Sequence, residues 1–329
     1  MAAYPSTMSA RAVAAGLTVL AALGAAACSD GGAPSRTTSP ATPTPTPTGP
    51  LSGPALAVKI DNTAKAHPHI GKAEADVVYV EPVEGGLTRL LAVYSSTMPK
   101  EVGPVRSARE SDLAILGNYG PIAFAYSGAS SYTNRLLDKG EQVNLSYAES
   151  SQGYRREKSR PAPYNVIGDP EALLARAKGS ALPTDPGLAF GPAPEGGAPA
   201  TSVSVRWPAT QVAFAWDAGR REYLLSTDGK PDVDPKGKQH GAATVVVQVV
   251  TTTASKNKDV TGAATPVVQL TGEGKATVLR GGRAWPGTWS REGLTAPTSF
   301  AAGGTALTMD PAGTVWVLLV APGQAVTVR

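Results

Sequence analysis

The chain has 329 residues and a formal net charge of +4, with 30 Lys and Arg against 26 Asp and Glu. No basic block alternates with aromatic residues, which argues against nucleic-acid binding. One cysteine and three histidines exclude an internal disulfide and a Cys/His zinc site, so no metal or other cofactor is evident.

Residues 1–27 are predicted to be a lipoprotein signal peptide. Arg11 precedes an apolar run, 12–27, that is too short to span a bilayer comfortably. The run ends in Leu-Gly-Ala-Ala-Ala before Cys28, and small residues before a lone Cys resemble the bacterial lipobox. We therefore expect Cys28 to carry diacylglycerol and a further acyl chain such as palmitate. The alternative is an uncleaved leader with an incidental cysteine. The expected location is the extracytoplasmic face of the cell membrane.

Residues 28–54 are predicted to be a disordered tether. This segment is rich in Pro, Thr and Ser, and Pro alternates with Thr from Thr42 to Thr48. Such a composition cannot bury apolar area, and its prolines favour extended polyproline II. The proline-spaced threonines could also be O-glycosylated, which the sequence leaves open.

Residues 55–180 are predicted to form an α/β domain with a mixed sheet. Apolar runs and turn residues indicate strands and helices in alternation. The predicted strands are Ala55–Ile60, Asp76–Glu81, Leu87–Tyr94 and Pro121–Tyr126. The predicted helices are Ser107–Tyr119, Ser131–Lys139 and Pro170–Lys178.

Residues 181–200 are predicted to be a Pro- and Gly-rich linker, followed by a strand-dominated domain over 201–329. The overall fold class is therefore α+β. The strands predicted in the second domain are Ser202–Trp207, Val212–Trp216, Glu222–Ser226, Thr244–Thr252, Pro266–Leu270, Ala276–Leu279, Arg283–Trp289, Ala306–Met309 and Thr314–Leu319.

One stretch of the first domain concentrates charge and glycine. Glu81 and Glu84 precede a Gly-Gly turn, Arg89 lies in the middle of an apolar strand, and Arg106 and Arg109 follow in Gly-Pro-Val-Arg-Ser-Ala-Arg. An arginine inside a strand must either reach the sheet edge or pair with a carboxylate, such as Glu81 or Glu84.

These motifs resemble the YerB-like lipoprotein family of bacterial envelope proteins. The resemblance rests on Glu-Gly-Gly-x-Thr-Arg at 84–89, on Gly-Pro-Val-Arg-Ser-Ala-Arg at 103–109, and on Arg-Pro-Ala-Pro-Tyr-Asn at 160–165. It implies a two-domain protein tethered to the outer face of the cell membrane, and it does not imply a reaction. Two residues depart from the family pattern, since His67 stands where Arg is expected and Tyr164 where His is expected.

Five arginines could converge on an anion. Guanidinium groups bind carboxylate or phosphate bidentately, and free N–H groups at a helix start near Arg106 and Arg109 would add to this. The expected ligand is an anionic wall polymer or lipid-linked precursor. In the alternative, these arginines pair with Asp61, Glu81, Glu84 and Glu110. The candidate anion-binding and neighbouring polar residues are Arg89, Arg106, Arg109, Arg156, Arg160, Asn62 and Asn165.

Two further functions remain open. In a phosphoryl- or glycosyl-transfer enzyme, Asp61, Glu81 and Glu84 would hold a divalent metal or act as a general base. This alternative draws on a weak similarity of residue order to the LytR–CpsA–Psr phosphotransferases. The protein could instead be a scaffold whose β-rich domain docks a partner.

The histidines and two of the tryptophans are expected to be structural or exposed. His67-x-His69 could be a metal pair, but histidines around proline in a loop are more often merely exposed, and His240 is expected to be a loop residue. Trp285 and Trp289 are expected to be core or sheet-face residues rather than sugar-stacking ones.

Overall fold

The structure is a computed structural model that describes residues 51–178, 183–258 and 262–329. The signal peptide, Cys28, nearly all of the tether and the first residues of the linker lie outside these ranges. Within them, no helix is both long and apolar enough to cross a bilayer.

The described residues contain three short α-helices and many strands. Helices α1 to α3 are Glu110–Leu116, Ser131–Leu137 and Pro170–Arg176. Single 3₁₀ turns occur at Ala64–Ala66, Lys72–Glu74 and Glu84–Gly86. Strands β1 to β11 are Leu56–Asp61, Val77–Pro82, Thr88–Tyr94, Ala123–Tyr126, Val143–Ser146, Tyr154–Arg156, Val166–Gly168, Ala198–Pro199, Ser202–Trp207, Thr210–Asp217 and Glu222–Thr227. Strands β12 to β22 are Lys230–Pro231, Gly241–Ala242, Thr244–Val249, Thr252–Lys258, Ala264–Val268, Gly272–Arg280, Arg283–Arg291, Ser299–Ala302, Thr305–Ala306, Val315–Val320 and Ala325–Val328.

A mixed sheet of 12 strands is the centre of the fold. Its order is β20-β19-β18-β17-β14-β21-β2-β3-β1-β4-β5, with β8 paired to β18. A second sheet has the order β12-β11-β10-β9-β22, with β13 beside β11, and the pairs β15–β16 and β6–β7 stand apart. The α+β fold class and the strand-rich C-terminal region are thereby confirmed.

Strands from both predicted domains share the central sheet. Strand β21 runs parallel to both β2 and β14, with Val315 opposite Val77 on one side and Trp316 opposite Val245 on the other. All six residues of β21 are apolar and buried, as expected for a strand covered on both faces and paired at both edges. The boundaries of the two predicted domains stay a prediction.

The two faces of the sheet bury different residues of β1. Leu56, Val58 and Ile60 belong to the core that also contains the buried valines of β9, whereas Ala57 packs in the core that contains Ile115 of α1. Since successive residues of a strand alternate between faces, Lys59 and Asp61 lie on the α1 face. In the predicted strand Leu87–Tyr94, alternation of residues predicts that Leu90, Ala92 and Tyr94 share one face and Leu91 and Val93 the other, and the same two cores confirm this.

Several elements are shorter than their predicted ranges. Helix α1 begins at Glu110 rather than Ser107 because Arg109 is extended, with φ −130° and ψ 164°, and caps the helix. Helices α2 and α3 each stop two residues short of the predicted Lys139 and Lys178. The strand predicted over Thr244–Thr252 is two strands, since β14 stays in the central sheet and β15 pairs with β16.

Candidate functional site

The register of the central sheet places three charged residues side by side. Arg89 of β3 is paired with Asp61 of β1 on one side and with Glu81 of β2 on the other. Residues directly opposite each other on neighbouring strands project to the same face. The strand-borne part of the predicted charge cluster therefore comes together on the α1 face of the sheet.

A cleft of about 650 Å³ opens beside this row, a volume within the range of small-molecule sites. Five charged residues line it: Asp61, Glu84, Arg89, Arg106 and Arg109. We call it the arginine cleft. Residues with hydroxyl groups also line the cleft, among them Thr63, Ser107, Thr133, Tyr164 and Thr265.

Two of the three cleft arginines have carboxylate partners. Nε of Arg106 donates to Oδ2 of Asp61 at 2.7 Å. Nε and Nη2 of Arg109 donate to Oε2 of Glu84 at 3.0 and 2.9 Å, and Thr265 donates to the other oxygen of that carboxylate. Burial is the largest single influence on the pKa of Glu84 and raises it. Arg109 and the hydroxyl of Thr265 act in the opposite direction, and together they lower the pKa below its ordinary value.

Arg89 is different, because it is buried and has no ion-pair partner within the described part of the chain. It is 8% exposed, and its Nη1 donates to the carbonyl oxygen of Ser107 at 3.0 Å. Among the described residues, no carboxylate oxygen lies within 4.0 Å of its guanidinium. Burial, followed by repulsion from Arg109 and Arg106, lowers the pKa of Arg89 to about 9. Buried charges in proteins are normally paired, so this guanidinium is the conspicuous group of the cleft.

Glu81, which lies opposite Arg89 in the sheet, pairs with Lys59 instead. The ammonium of Lys59 pairs with Glu81 and, at 2.7 Å, with Oδ1 of Asp112, and all three side chains are fully buried. Burial is the main cause that lowers the pKa of Lys59 to about 8, and Asp112 opposes it. Arg89 lies on an internal strand of the sheet, and it pairs with neither Glu81 nor Glu84. Neither of the two expected explanations for an arginine inside this strand therefore applies.

At the helix start, the N–H groups of Arg106 and Arg109 already have partners in the protein, and the carbonyl oxygen of Lys59 accepts the Arg106 N–H at 2.8 Å. Oδ2 of Asp112 accepts the Arg109 N–H at 2.6 Å, and Glu110 lies in the same first turn. The helix thus supplies its own carboxylates at its N-terminus, where they are favoured.

Two predicted anion-binding arginines and one asparagine lie away from the cleft. Exposed Arg156 donates to the hydroxyl of Tyr147 and to Oδ1 of Asn165, at 2.9 and 2.8 Å. Arg160 donates to two carbonyl oxygens of the loop 66–68. These residues do not line the cleft, and their observed contacts hold surface loops in place.

Other singled-out residues have structural contacts. Asn62 is 3% exposed and donates to the hydroxyl of Thr88 at 2.9 Å. Trp285 and Trp289 are buried, and each indole N–H donates to a backbone carbonyl. The expectation that these tryptophans belong to the core is confirmed.

The expectation that His67 and His69 are merely exposed is wrong, whereas His240 lies in a loop, as expected. His69 is fully buried, His240 is 4% exposed, and the side chain of His67 is only 21% exposed. All three lie around the buried carboxylate of Asp232, together with Lys72. We call these five residues the histidine cluster.

Lys72 is the cation at the centre of the histidine cluster. Its ammonium donates to Oδ1 of Asp232 at 2.6 Å and to Nδ1 of His69 at 2.8 Å, and it lies over the ring of Trp316. Nε2 of His69 is 2.7 Å from the carbonyl oxygen of Asp61. Since a carbonyl can only accept, Nε2 carries the proton and Nδ1 is the acceptor for Lys72.

The histidine cluster contains residue types that bind metal ions, but the ammonium of Lys72 occupies its centre. One ligand atom each from His67, His69 and Asp232 lies within 4.8 Å of the others. The ammonium of Lys72 contacts two of the same three groups and supplies the positive charge that a metal ion would otherwise bring. We therefore interpret the cluster as a neutral buried network rather than a metal centre.

Sequence reasoning missed Lys59, Asp112, Lys72 and Asp232. Lys59 could have been identified from the sequence, because a lysine inside the apolar strand Leu56–Asp61 requires a buried partner. Asp232 could not have been found in this way, since Lys72, whose ammonium it binds, is about 160 residues away in the chain.

Two family models match the chain. The N-terminal domain of the protein of unknown function family DUF3048 matches residues 42–183, and its C-terminal domain matches residues 203–317. Together they span most of the chain, which therefore belongs to this family.

The relatives of the chain include a protein of Bacillus subtilis (strain 168) described as "Putative lipoprotein YerB". The two are 37% identical over 112 residues, which is 33% of this chain and 33% of the relative. The crystal structure of YerB from Bacillus subtilis has the same fold, with a TM-score of 0.72 and 22% identity over 84% of this chain and 95% of that one.

Proposed function

We propose that this protein binds an anionic group of the cell envelope in the arginine cleft. In this proposal, Cys28 carries the lipid anchor, residues 28–54 are the tether, and the described domains lie on the extracytoplasmic face of the membrane. The anionic group would belong to a wall polymer or a lipid-linked precursor.

The observation that carries the proposal is the unpaired guanidinium of Arg89. An ionised group removed from water costs several kcal/mol unless a partner compensates it. Asp61 and Glu84 are occupied by Arg106 and Arg109, and Glu81 is occupied by Lys59. An oxyanion ligand would supply the missing partner through charge-assisted hydrogen bonds, which are among the stronger ones in proteins.

The experiment is an isothermal titration of the full chain with dimethyl phosphate and with inorganic phosphate at low ionic strength. We expect saturable binding of at least one of them, and we expect Arg89→Met to abolish it because the unpaired charge is removed. Binding should also raise the free energy of unfolding, by about 1.4 kcal/mol at ten times Kd.

A matched control is Arg220→Met. Arg220 forms a surface ion pair with Glu222 in the C-terminal region, and about two thirds of its side chain is buried. Its loss removes the same formal charge from the chain without touching the cleft, so affinity should stay within about twofold of wild type. If neither anion binds wild type, or if both variants lose binding equally, the proposal is wrong.

A further inference from the structure

We infer that the arginine cleft selects an oxyanion with a single negative charge, such as a phosphodiester or a carboxylate, over a doubly charged one. This inference rests on the proposed function and names the ligand class of the same site. It follows from how the charges of the cleft are already paired.

The charged groups that line the cleft leave one positive charge without a partner. Three guanidinium groups face two carboxylates. The pairs Arg106–Asp61 and Arg109–Glu84 each have an N–O distance of 2.7 Å. Arg89 alone remains, so the uncompensated charge of the lining is a single positive unit.

Both carboxylates already accept hydrogen bonds from groups of the protein. Oδ1 of Asp61 accepts the N–H of Thr63 at 2.8 Å and its hydroxyl at 2.5 Å, while Oδ2 accepts from Arg106. Glu84 accepts from Arg109 and from Thr265. A ligand would have to break these bonds to recruit a second arginine, and each broken bond leaves a buried acceptor unsatisfied.

The groups behind the cleft also disfavour a second negative charge. The fully buried set of Lys59, Glu81 and Asp112 has two carboxylates for one ammonium. These groups supply no further cation, so the second charge of a dianion would be desolvated without a partner, whereas a singly charged ligand is met by Arg89.

Dimethyl phosphate and methyl phosphate are a suitable pair of probes, because they differ by one methyl group and, at pH 8, by one charge. The second pKa of a phosphate monoester is about 6, so methyl phosphate is then a dianion. We expect wild type to bind dimethyl phosphate about tenfold more tightly, a difference that corresponds to about 1.4 kcal/mol. Propionate, titrated in parallel, tells whether the preferred monoanion is a phosphodiester or a carboxylate.

Glu84→Gln provides the decisive variant. It keeps the shape and the acceptor for Thr265 but leaves Arg109 without its charge partner, so the lining gains a second unpaired cation. We expect the preference to reverse towards methyl phosphate. Asp61→Asn, which frees Arg106 in the same way, serves if near-ultraviolet circular dichroism shows that Glu84→Gln does not fold.

The outcomes separate this inference from the proposed function. Equal or tighter binding of methyl phosphate by wild type overturns the charge selection while leaving anion binding intact. An unchanged preference in folded Glu84→Gln or Asp61→Asn overturns it as well. If none of the probes binds wild type, the proposed function itself fails.

Discussion

Asp232→Ala is expected to destabilise the protein by about 3–5 kcal/mol, the usual result of removing one partner of a buried ion pair. The substitution leaves the ammonium of Lys72, which is 1% exposed, without a carboxylate. Thr227 loses its acceptor at the same time, and Nδ1 of His240 keeps only the carbonyl oxygen of residue 232. Denaturant unfolding monitored by circular dichroism measures the change.

Two further variants show whether charge is the cause. Asp234→Ala removes a carboxylate from the same loop. Among the described residues, that carboxylate accepts from the backbone N–H groups of Lys236 and Lys238, so we expect a loss of about 1 kcal/mol. Adding Lys72→Met to Asp232→Ala should restore most of the stability, because an apolar side chain can pack on Trp316 and no unpaired charge remains. A double variant as unstable as Asp232→Ala would mean that packing, not charge, holds the cluster.

Acid should destabilise the protein through the same cluster. Burial is the first cause that lowers the pKa of both His67 and His69, and Lys72 lowers both further. In the unfolded chain, imidazole titrates near 6.5. Below that pH the folded state therefore binds fewer protons than the unfolded state, and the free energy of unfolding falls as the pH drops.

The slope gives the number of imidazoles involved. Each histidine kept neutral contributes about 1.4 kcal/mol per pH unit, and both contribute about 2.7 kcal/mol per unit between the unfolded and the folded pKa. The groups that face them are Lys72, Asp232 and His240. His67→Gln should lower the slope of unfolding free energy against pH by about 1.4 kcal/mol per pH unit, the contribution of one imidazole. Stability that stays level or rises from pH 7 to pH 5 would contradict this interpretation.

Local patterns were enough to predict the fold class and most strands. Alternation along Leu87–Tyr94 indicated which residues face which core, and turn residues separated the strands of the C-terminal region. What could not be predicted was pairing between distant segments. Nothing local indicates that Val315–Val320 lies between β2 and β14, because its apolar residues would suit any covered strand.

The candidate site was predictable to the extent that its residues are close in sequence. Asp61, Glu84, Arg89, Arg106 and Arg109 come from one short region and all line the cleft. Arg156 and Arg160 come from a later segment and do not line the cleft, and their partners are loop groups. The charge pairing within the site could not be predicted without Lys59. Lys59 pairs with Glu81, and Arg89 is the arginine left without a carboxylate.

The most direct test of the central claim is the stability of Arg89→Met in the absence of any added oxyanion. If Arg89 is kept without a carboxylate partner for a ligand, an unbranched apolar side chain in its place removes a desolvated charge, whose burial costs several kcal/mol. We expect the free energy of unfolding to rise, and dimethyl phosphate to cease stabilising the variant. A loss of several kcal/mol would show instead that Arg89 holds the fold together through its contact with Ser107 and is not a ligand-binding residue.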